Sequence, residues 1–265
     1  MPVETPPMTS PKTSIAEDDI GLFWQYLSDE PIHHNQYRIE KRFKSIAGER
    51  QDQAYVVLSK NGKVIQSFDG VAYHPQGNSI GFGLFGFLGA NTQQLAITQE
   101  VFRGGVQWIV DLTPTPRVIF DGRAWQVGRE GADCEVQDTD GDGVFELSLP
   151  ITDFYKLMDK MSISGIPLPM ITFKYDSQKR KYYPVNHVLA SAQTNSFEQP
   201  DRTNELFFRS AVLRNMLELI YQGKRDRAWQ YFNSTYNLDD KKEIERRVKT
   251  ILRSQPVYKY IYKNQ

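Results

Sequence analysis

The sequence predicts an α+β protein, with an antiparallel β-rich central domain followed by a C-terminal helical module. Three observations point there. Between about Tyr37 and Val188 apolar residues recur at strand-like spacing, punctuated by Pro, Gly and Asp clusters rather than by crossover helices. After a polar stretch, "SAQTNSFEQPDRTN", the apolar period becomes helical. Asn61-Gly62 lies between two apolar runs, and both residues tolerate the positive φ of a two-residue hairpin turn.

Taken in order, residues 1–17 are rich in Pro, Thr and Ser and read as a flexible tail. A β-rich domain is expected over 18–195 and a helical module over 203–265. "EDDIGLFWQYL" sets Ile20, Phe23, Trp24 and Leu27 at helical spacing and predicts a short helix ending near Pro31. "AYVVLSKNGKVIQSF" predicts a hairpin around Asn61-Gly62. Further strands are expected at "QQLAITQEVF", "VQWIVDL", "PRVIFDG", "AWQVGRE", "VFELSLP" and "MITFKYD". In the helical part Leu206, Leu213, Met216, Leu217 and Ile220 mark one apolar face. Gly223 then breaks the chain before a second helix carrying Ala228, Trp229 and Phe232. A third, "DKKEIERRVKTILRS", is expected to start after Asp239 or Asp240 and to stop before Pro256. The end, "PVYKYIYKNQ", fits an edge strand or a docking tail.

Composition narrows the function classes. Lys plus Arg and Asp plus Glu both total 32 in 265 residues, so no global field favours a nucleic-acid or anionic-membrane partner. No apolar run reaches the roughly 20 residues of a membrane-spanning helix. The single cysteine, Cys134, excludes an intrachain disulfide framework and a multi-cysteine zinc site.

The most specific chemistry lies in "DTDGDGVFEL", residues 138–147. Asp138, Asp140 and Asp142 fall on alternate positions of a tight loop, so all three can aim oxygen inward. Gly141 and Gly143 supply the turn, Val144 can offer its carbonyl, and Glu146 can close the loop. An oxygen-only donor set suits hard Ca²⁺, which takes six to eight oxygens at about 2.3–2.6 Å. Leu149 stands where a helix-loop-helix site needs a bidentate Glu, so a strand-loop-strand clip is expected. The competing reading is a plain turn, because Asp side chains also cap backbone amides. Four carboxylates without a counterion would repel one another, which favours the ion. A loop that fills its own ion leaves little room for a substrate, so the metal is expected to be structural rather than catalytic.

Asp138, Asp140, Asp142, Gly143 and Glu146 resemble the Asp-x-Asp-x-Asp-Gly-x-x-acid calcium loop of FG-GAP and VCBS-type repeats, found in the propellers of integrin α-chains. The likeness covers about ten residues in one copy. It implies the loop and its calcium, not a propeller, which repeats a four-stranded blade four to eight times. A longer likeness is to a diffuse group of poorly characterised bacterial proteins. It runs through "RGGVQWIVDL", "DTDGDGVFEL" and "KYDSQKRKYYPVN" and on to helices after Thr203. Those proteins often carry a cysteine pair after the Gly-Gly, where this chain has Val106 and Gln107. The resemblance implies an architecture and brings no activity.

Other motifs are weaker. "GFGLFG", residues 81–86, interleaves glycine with Phe82, Phe85 and Phe87 and does not look like the helix start of a dinucleotide site. It reads as tight packing, or, if the phenylalanines are exposed together, as a partner contact. His33, His34, His74 and His187 lack the spacing of a zinc motif and are expected in solvated loops. Cys134 and Ser164 lack the neighbours of a nucleophile. Gly223, Ala228 and Phe232 share the small-residue spacing of a tetratricopeptide helix turn, but one unit cannot form an array.

The expectation is a calcium-stabilised, non-catalytic protein that binds a protein or glycan partner. One alternative is a cytosolic scaffold or assembly factor acting through its helices. Another is a hydrolase whose residues meet only in the fold, with His187 or Asp176 in a deep pocket. Weak calcium affinity, about 10⁻⁴ to 10⁻³ M as in extracellular modules, favours an exported protein. The start of the sequence, without a basic region followed by an apolar one, favours the cytoplasm.

Overall fold

The computed structural model describes residues 27–28, 30–45, 53–69, 79–100, 105–128, 134–161, 165–189 and 200–263. The expected tail and most of the helix expected at 17–27 lie outside them, as do His74 and Ser164. The protein is α+β. Three four-stranded antiparallel meanders are followed by a helical region.

The first sheet contains β1 (Ile32–His34), β2 (Tyr37–Lys44), β3 (Gln53–Lys60) and β4 (Lys63–Asp69) in sequence order. Asn61 and Gly62 turn β3 into β4 with φ of 51° and 77°, as their side chains allow. His33 and His34 belong to β1 rather than to a loop. They alternate between exposed and half-buried because successive strand residues face opposite ways.

The second sheet contains β5 (Ser79–Phe85), β6 (Gln94–Glu100), β7 (Gly105–Asp111) and β8 (Arg117–Asp121). It is the middle layer. Leu95, Ile97, Trp108 and Val110 pack with Ile39, Val56, Leu58 and Phe68 of the first sheet. Ala96, Ile109 and Phe120 point the other way, into a second core with the third sheet and the helices. Burial on both faces explains why "VQWIVDL" is apolar nearly throughout instead of alternating.

"GFGLFG" forms β5 and its exit. Phe82 and Phe87 are fully buried and Phe85 is 4% exposed, so the joint exposure that a partner contact requires is not met. Phe82 fills the core between the first two sheets, whereas Phe85 and Phe87 fill the second core. Gly81 leaves room for Leu27; a Cβ there would lie 2.8 Å from Leu27 Cδ1.

Over its described residues, 124–128, "AWQVGRE" forms no strand. Asp121 caps a single helical turn, α1 (Gly122–Trp125), by accepting from the Arg123 and Ala124 amides at 3.0 Å each. Gln126 then leaves it with a left-handed φ of 56°. Local capping overrides the strand pattern here.

The third sheet contains β9 (Glu135–Gln137), β10 (Glu146–Pro150), β11 (Met170–Asp176) and β12 (Lys181–Pro184). Between β10 and β11 runs a 3₁₀ segment, Asp153–Lys160, and after β12 comes the short helix α2 (Asn186–Leu189). The helical region comprises α3 (Glu205–Tyr221), α4 (Arg225–Thr235), α5 (Lys241–Ser254) and α6 (Pro256–Ile261).

In α3 the predicted face residues Leu213, Met216, Leu217 and Ile220 are fully buried. Leu206 in its first turn is 44% exposed instead. Gly223, with φ of 79°, separates α3 from α4. Residues 256–261 are helical, not an edge strand: Pro256 starts α6, and Val257 and Ile261 bury the same face four residues apart. Helix and sheet residues share one buried cluster, which runs from Phe85 through Phe173 to Ile261. No helix among the described residues is long and apolar enough to cross a membrane.

Candidate metal centre

The aspartate loop connects β9 to β10, and its base is fixed from two sides. Tyr182 on β12 donates its hydroxyl to the Phe145 carbonyl at 3.0 Å. The Phe145 amide donates to the Phe87 carbonyl at 2.9 Å, which ties the loop to the turn after β5. Burial raises the Tyr182 phenol pKa, and the nearby Glu146 charge adds to this, so the hydroxyl stays protonated and donating.

Within the loop, Asp138 organises the backbone. Its Oδ1 accepts from the amides of Gly141 and Asp142 at 2.8 and 3.2 Å, and its Oδ2 accepts from Gly143 at 2.9 Å. Gly141 and Gly143 have φ of 73° and 80° with open space around the missing Cβ, so conformation and not crowding demands glycine there. Glu146 closes the loop. Its Oε2 accepts from the Thr139 amide at 2.8 Å and from the Thr139 hydroxyl at 2.6 Å.

One oxygen each from Asp138, Asp140 and Glu146 lies within 4.8 Å of the others, a spacing that could hold a metal ion. Asp142 lies outside that group: its Oδ1 accepts from the Val144 amide at 2.9 Å and its Oδ2 faces Lys174. Val144 thus meets the loop through its amide.

Lys174 is the residue the sequence pattern does not reveal. Leu147 and Phe173 are paired across β10 and β11, so one step further along the register Lys174 and Glu146 share a face. The Lys174 ammonium contacts Asp140, lies 2.9 Å from Asp142 Oδ2 and 3.2 Å from Glu146 Oε1. Glu146 is 3% exposed, and its Oε1 has no other partner among the described residues. Partial burial disfavours the charged ammonium, but the bonds to Asp140, Asp142 and Glu146 outweigh it and raise the Lys174 pKa. The hydrogen bond from Lys174, followed by that from the Val144 amide, holds Asp142 below the usual carboxylate range. The counterion that four carboxylates require is therefore supplied by the neighbouring strand. One ammonium still leaves most of the negative charge uncompensated.

Of the two residues named for a hydrolytic alternative, the His187 side chain lies outside the described set. Asp176 caps the β11–β12 turn, accepting from the amides of Gln178 and Lys179 at 3.0 and 2.9 Å. A cavity of about 330 Å³ opens between the Pro167–Met170 segment and α3, lined by Arg214, Glu218 and Gln222, and Asp176 is not in its wall. Cys134 is buried, 4% exposed.

In comparisons with known proteins, no family model, no curated protein sequence and no solved structure matches the chain.

Proposed function

We propose that the protein is a non-catalytic binding protein whose 138–146 loop takes a calcium ion and thereby fixes the surface beside it for a protein or glycan partner. One observation carries this reading: oxygens of Asp138, Asp140 and Glu146 converge within 4.8 Å in a loop whose donors are all oxygen. Calcium is preferred over magnesium because a loop with unequal, partly occupied carboxylates suits a flexible coordination shell better than a strict octahedron. The short likeness to FG-GAP and VCBS-type loops points the same way.

In this reading the ion competes with Lys174 for Asp140 and Glu146. Divalent charge neutralises more of the loop than the ammonium does, and Lys174 swings toward solvent. The Phe145–Phe87 bond transmits the ordering to the turn after β5. Lys174 is paired in register with Tyr183, which stacks on Tyr260 at 5.6 Å and meets Trp125 edge-on at 6.3 Å. These half-buried rings take the place of Phe82, Phe85 and Phe87 as the aromatic surface next to the loop.

The test is thermal melting of the full chain in calcium, in magnesium and in EDTA. Mass action predicts a calcium-specific rise, about 2.7 kcal/mol at one hundred times the dissociation constant. Identical melts in all three would overturn the calcium reading and leave a lysine-clipped turn.

A further inference from the structure

The net charge of zero hides a strong separation. Between Glu205 and Lys263 there are thirteen Lys and Arg against seven Asp and Glu, so the remainder of the chain carries the compensating negative excess. Part of the positive excess is arranged. On α5 the buried face is Ile244, Val248, Ile251 and Leu252. Lys242, Arg246, Lys249 and Arg253 are all exposed and lie on the opposite side, spaced four, three and four residues apart. At 3.6 residues per turn that spacing keeps them within one narrow stripe, and eleven steps of 1.5 Å make it about 16 Å long. Lys249 is engaged by Glu245 at 2.5 Å and lies over the Trp229 ring. Among the described residues, Lys242, Arg246 and Arg253 have no ion pair, although α5 uses its flank residue Arg247 to bind Asp159 on both oxygens at 2.7 and 2.8 Å.

We infer that this stripe docks the acidic β9–β10 edge of a second copy of the chain. The complement is present in the same molecule. From Glu135 to Glu146 there are five carboxylates and no Lys or Arg. Glu135 is exposed on β9, and the Asp140 and Asp142 side chains are 52% and 45% exposed. Lys174 answers only part of that charge. An α5 stripe against a β9–β10 edge joins two different surfaces, so the contact is head-to-tail and a docked pair leaves one stripe and one acidic edge unused. The association is electrostatic, hence steep in ionic strength. It goes beyond the metal reading and does not depend on it.

The experiment is sedimentation velocity of the full chain in EDTA at 0.01 M and at 1 M salt, between which the screening length falls from about 30 Å to about 3 Å. The expected result is a concentration-dependent faster species at low salt that disappears at high salt, and that is already missing at low salt in the exposed-site variant Arg246→Glu/Arg253→Glu. Circular dichroism of the variant should match the wild type. A chain that stays monomeric at 0.01 M salt would overturn the inference. Association that survives the double substitution, or that salt does not weaken, would overturn it as well.

Discussion

Lys174 Nζ lies 3.2 Å from Glu146 Oε1, and the two residues come from neighbouring strands that place them on one face. Glu146 is 3% exposed while the Lys174 side chain is 30% exposed, so the pair is buried at the carboxylate and open at the ammonium. The proposed calcium ion would therefore enter from the open, ammonium end of the pair.

Replacing Lys174 by Met separates the two roles of the lysine. In EDTA the variant should lose about 1–2 kcal/mol, between the small worth of an exposed ion pair and the larger cost of a buried carboxylate left alone. In calcium it should gain affinity about tenfold, equivalent to about 1.4 kcal/mol, because the tethered competitor is gone. Urea denaturation with and without calcium measures both. Equal affinity in wild type and variant would mean that the ion does not displace the ammonium.

Asp138 distinguishes a turn from a ligand. Asp138→Asn keeps an oxygen acceptor for the Gly141 and Asp142 amides, turns an NH2 toward the exposed Gly143 amide, and offers a metal a weaker, neutral oxygen. Its melting in EDTA should stay within about 1 kcal/mol of wild type, whereas Asp138→Ala should lose about 1–2 kcal/mol through uncapped amides. Both should lose the calcium response. A calcium shift that persists in Asp138→Asn would remove Asp138 from the ligand set.

Arg209 holds the helical region together. It is 8% exposed and donates to the Tyr236 hydroxyl at 2.9 Å, to Asp240 Oδ2 at 3.0 Å and to the Lys160 carbonyl at 2.7 Å. Tyr236 in turn donates to Asp240 Oδ1 at 2.9 Å. Arg209→Leu should cost about 3 kcal/mol in chemical denaturation, since it strands Asp240 and the carbonyl of the 3₁₀ segment. A loss below about 1 kcal/mol would show that solvent already satisfies this network.

The contact between α5 and the 3₁₀ segment should respond to acid. The bidentate Arg247 guanidinium holds Asp159 below the usual carboxylate range. Because the folded value is the lower one, the stabilisation is complete above the unfolded value of about 3.9 and is lost as pH falls through the folded value. Carboxyl-carbon NMR should show Asp159 titrating below an ordinary aspartate, and returning to the ordinary range in Arg247→Gln. An ordinary midpoint in the wild type would contradict the ion pair.

The parts of this fold legible in the sequence are those governed by local rules. Asn61-Gly62 fixes a hairpin through its own dihedrals, and α3 and α5 declare themselves by periodicity. The expected strand at "AWQVGRE" is not formed over its described residues because a single Asp121 cap redirects the chain, and pattern counting weighs that cap less than the three apolar residues Ala124, Trp125 and Val127. "PVYKYIYKNQ" shows two periods at once. Alternating tyrosines suggest a strand, whereas burial follows Val257 and Ile261 four apart. In the loop, the residue types and spacing of Asp138, Asp140 and Glu146 are local and were readable. Lys174 was not, since its approach depends on the β10–β11 register. The burial of Phe82, Phe85 and Phe87 depends on a middle sheet covered on both faces, which no short window reveals.

Calcium binding by the 138–146 loop is read out without any intermediate step by calorimetric titration of calcium into the EDTA-stripped chain. The expected result is a saturable one-site heat with a dissociation constant of about 10⁻⁴ to 10⁻³ M that is abolished in Glu146→Gln. The absence of saturable heat in the wild type, or the same heat in Glu146→Gln, would contradict it.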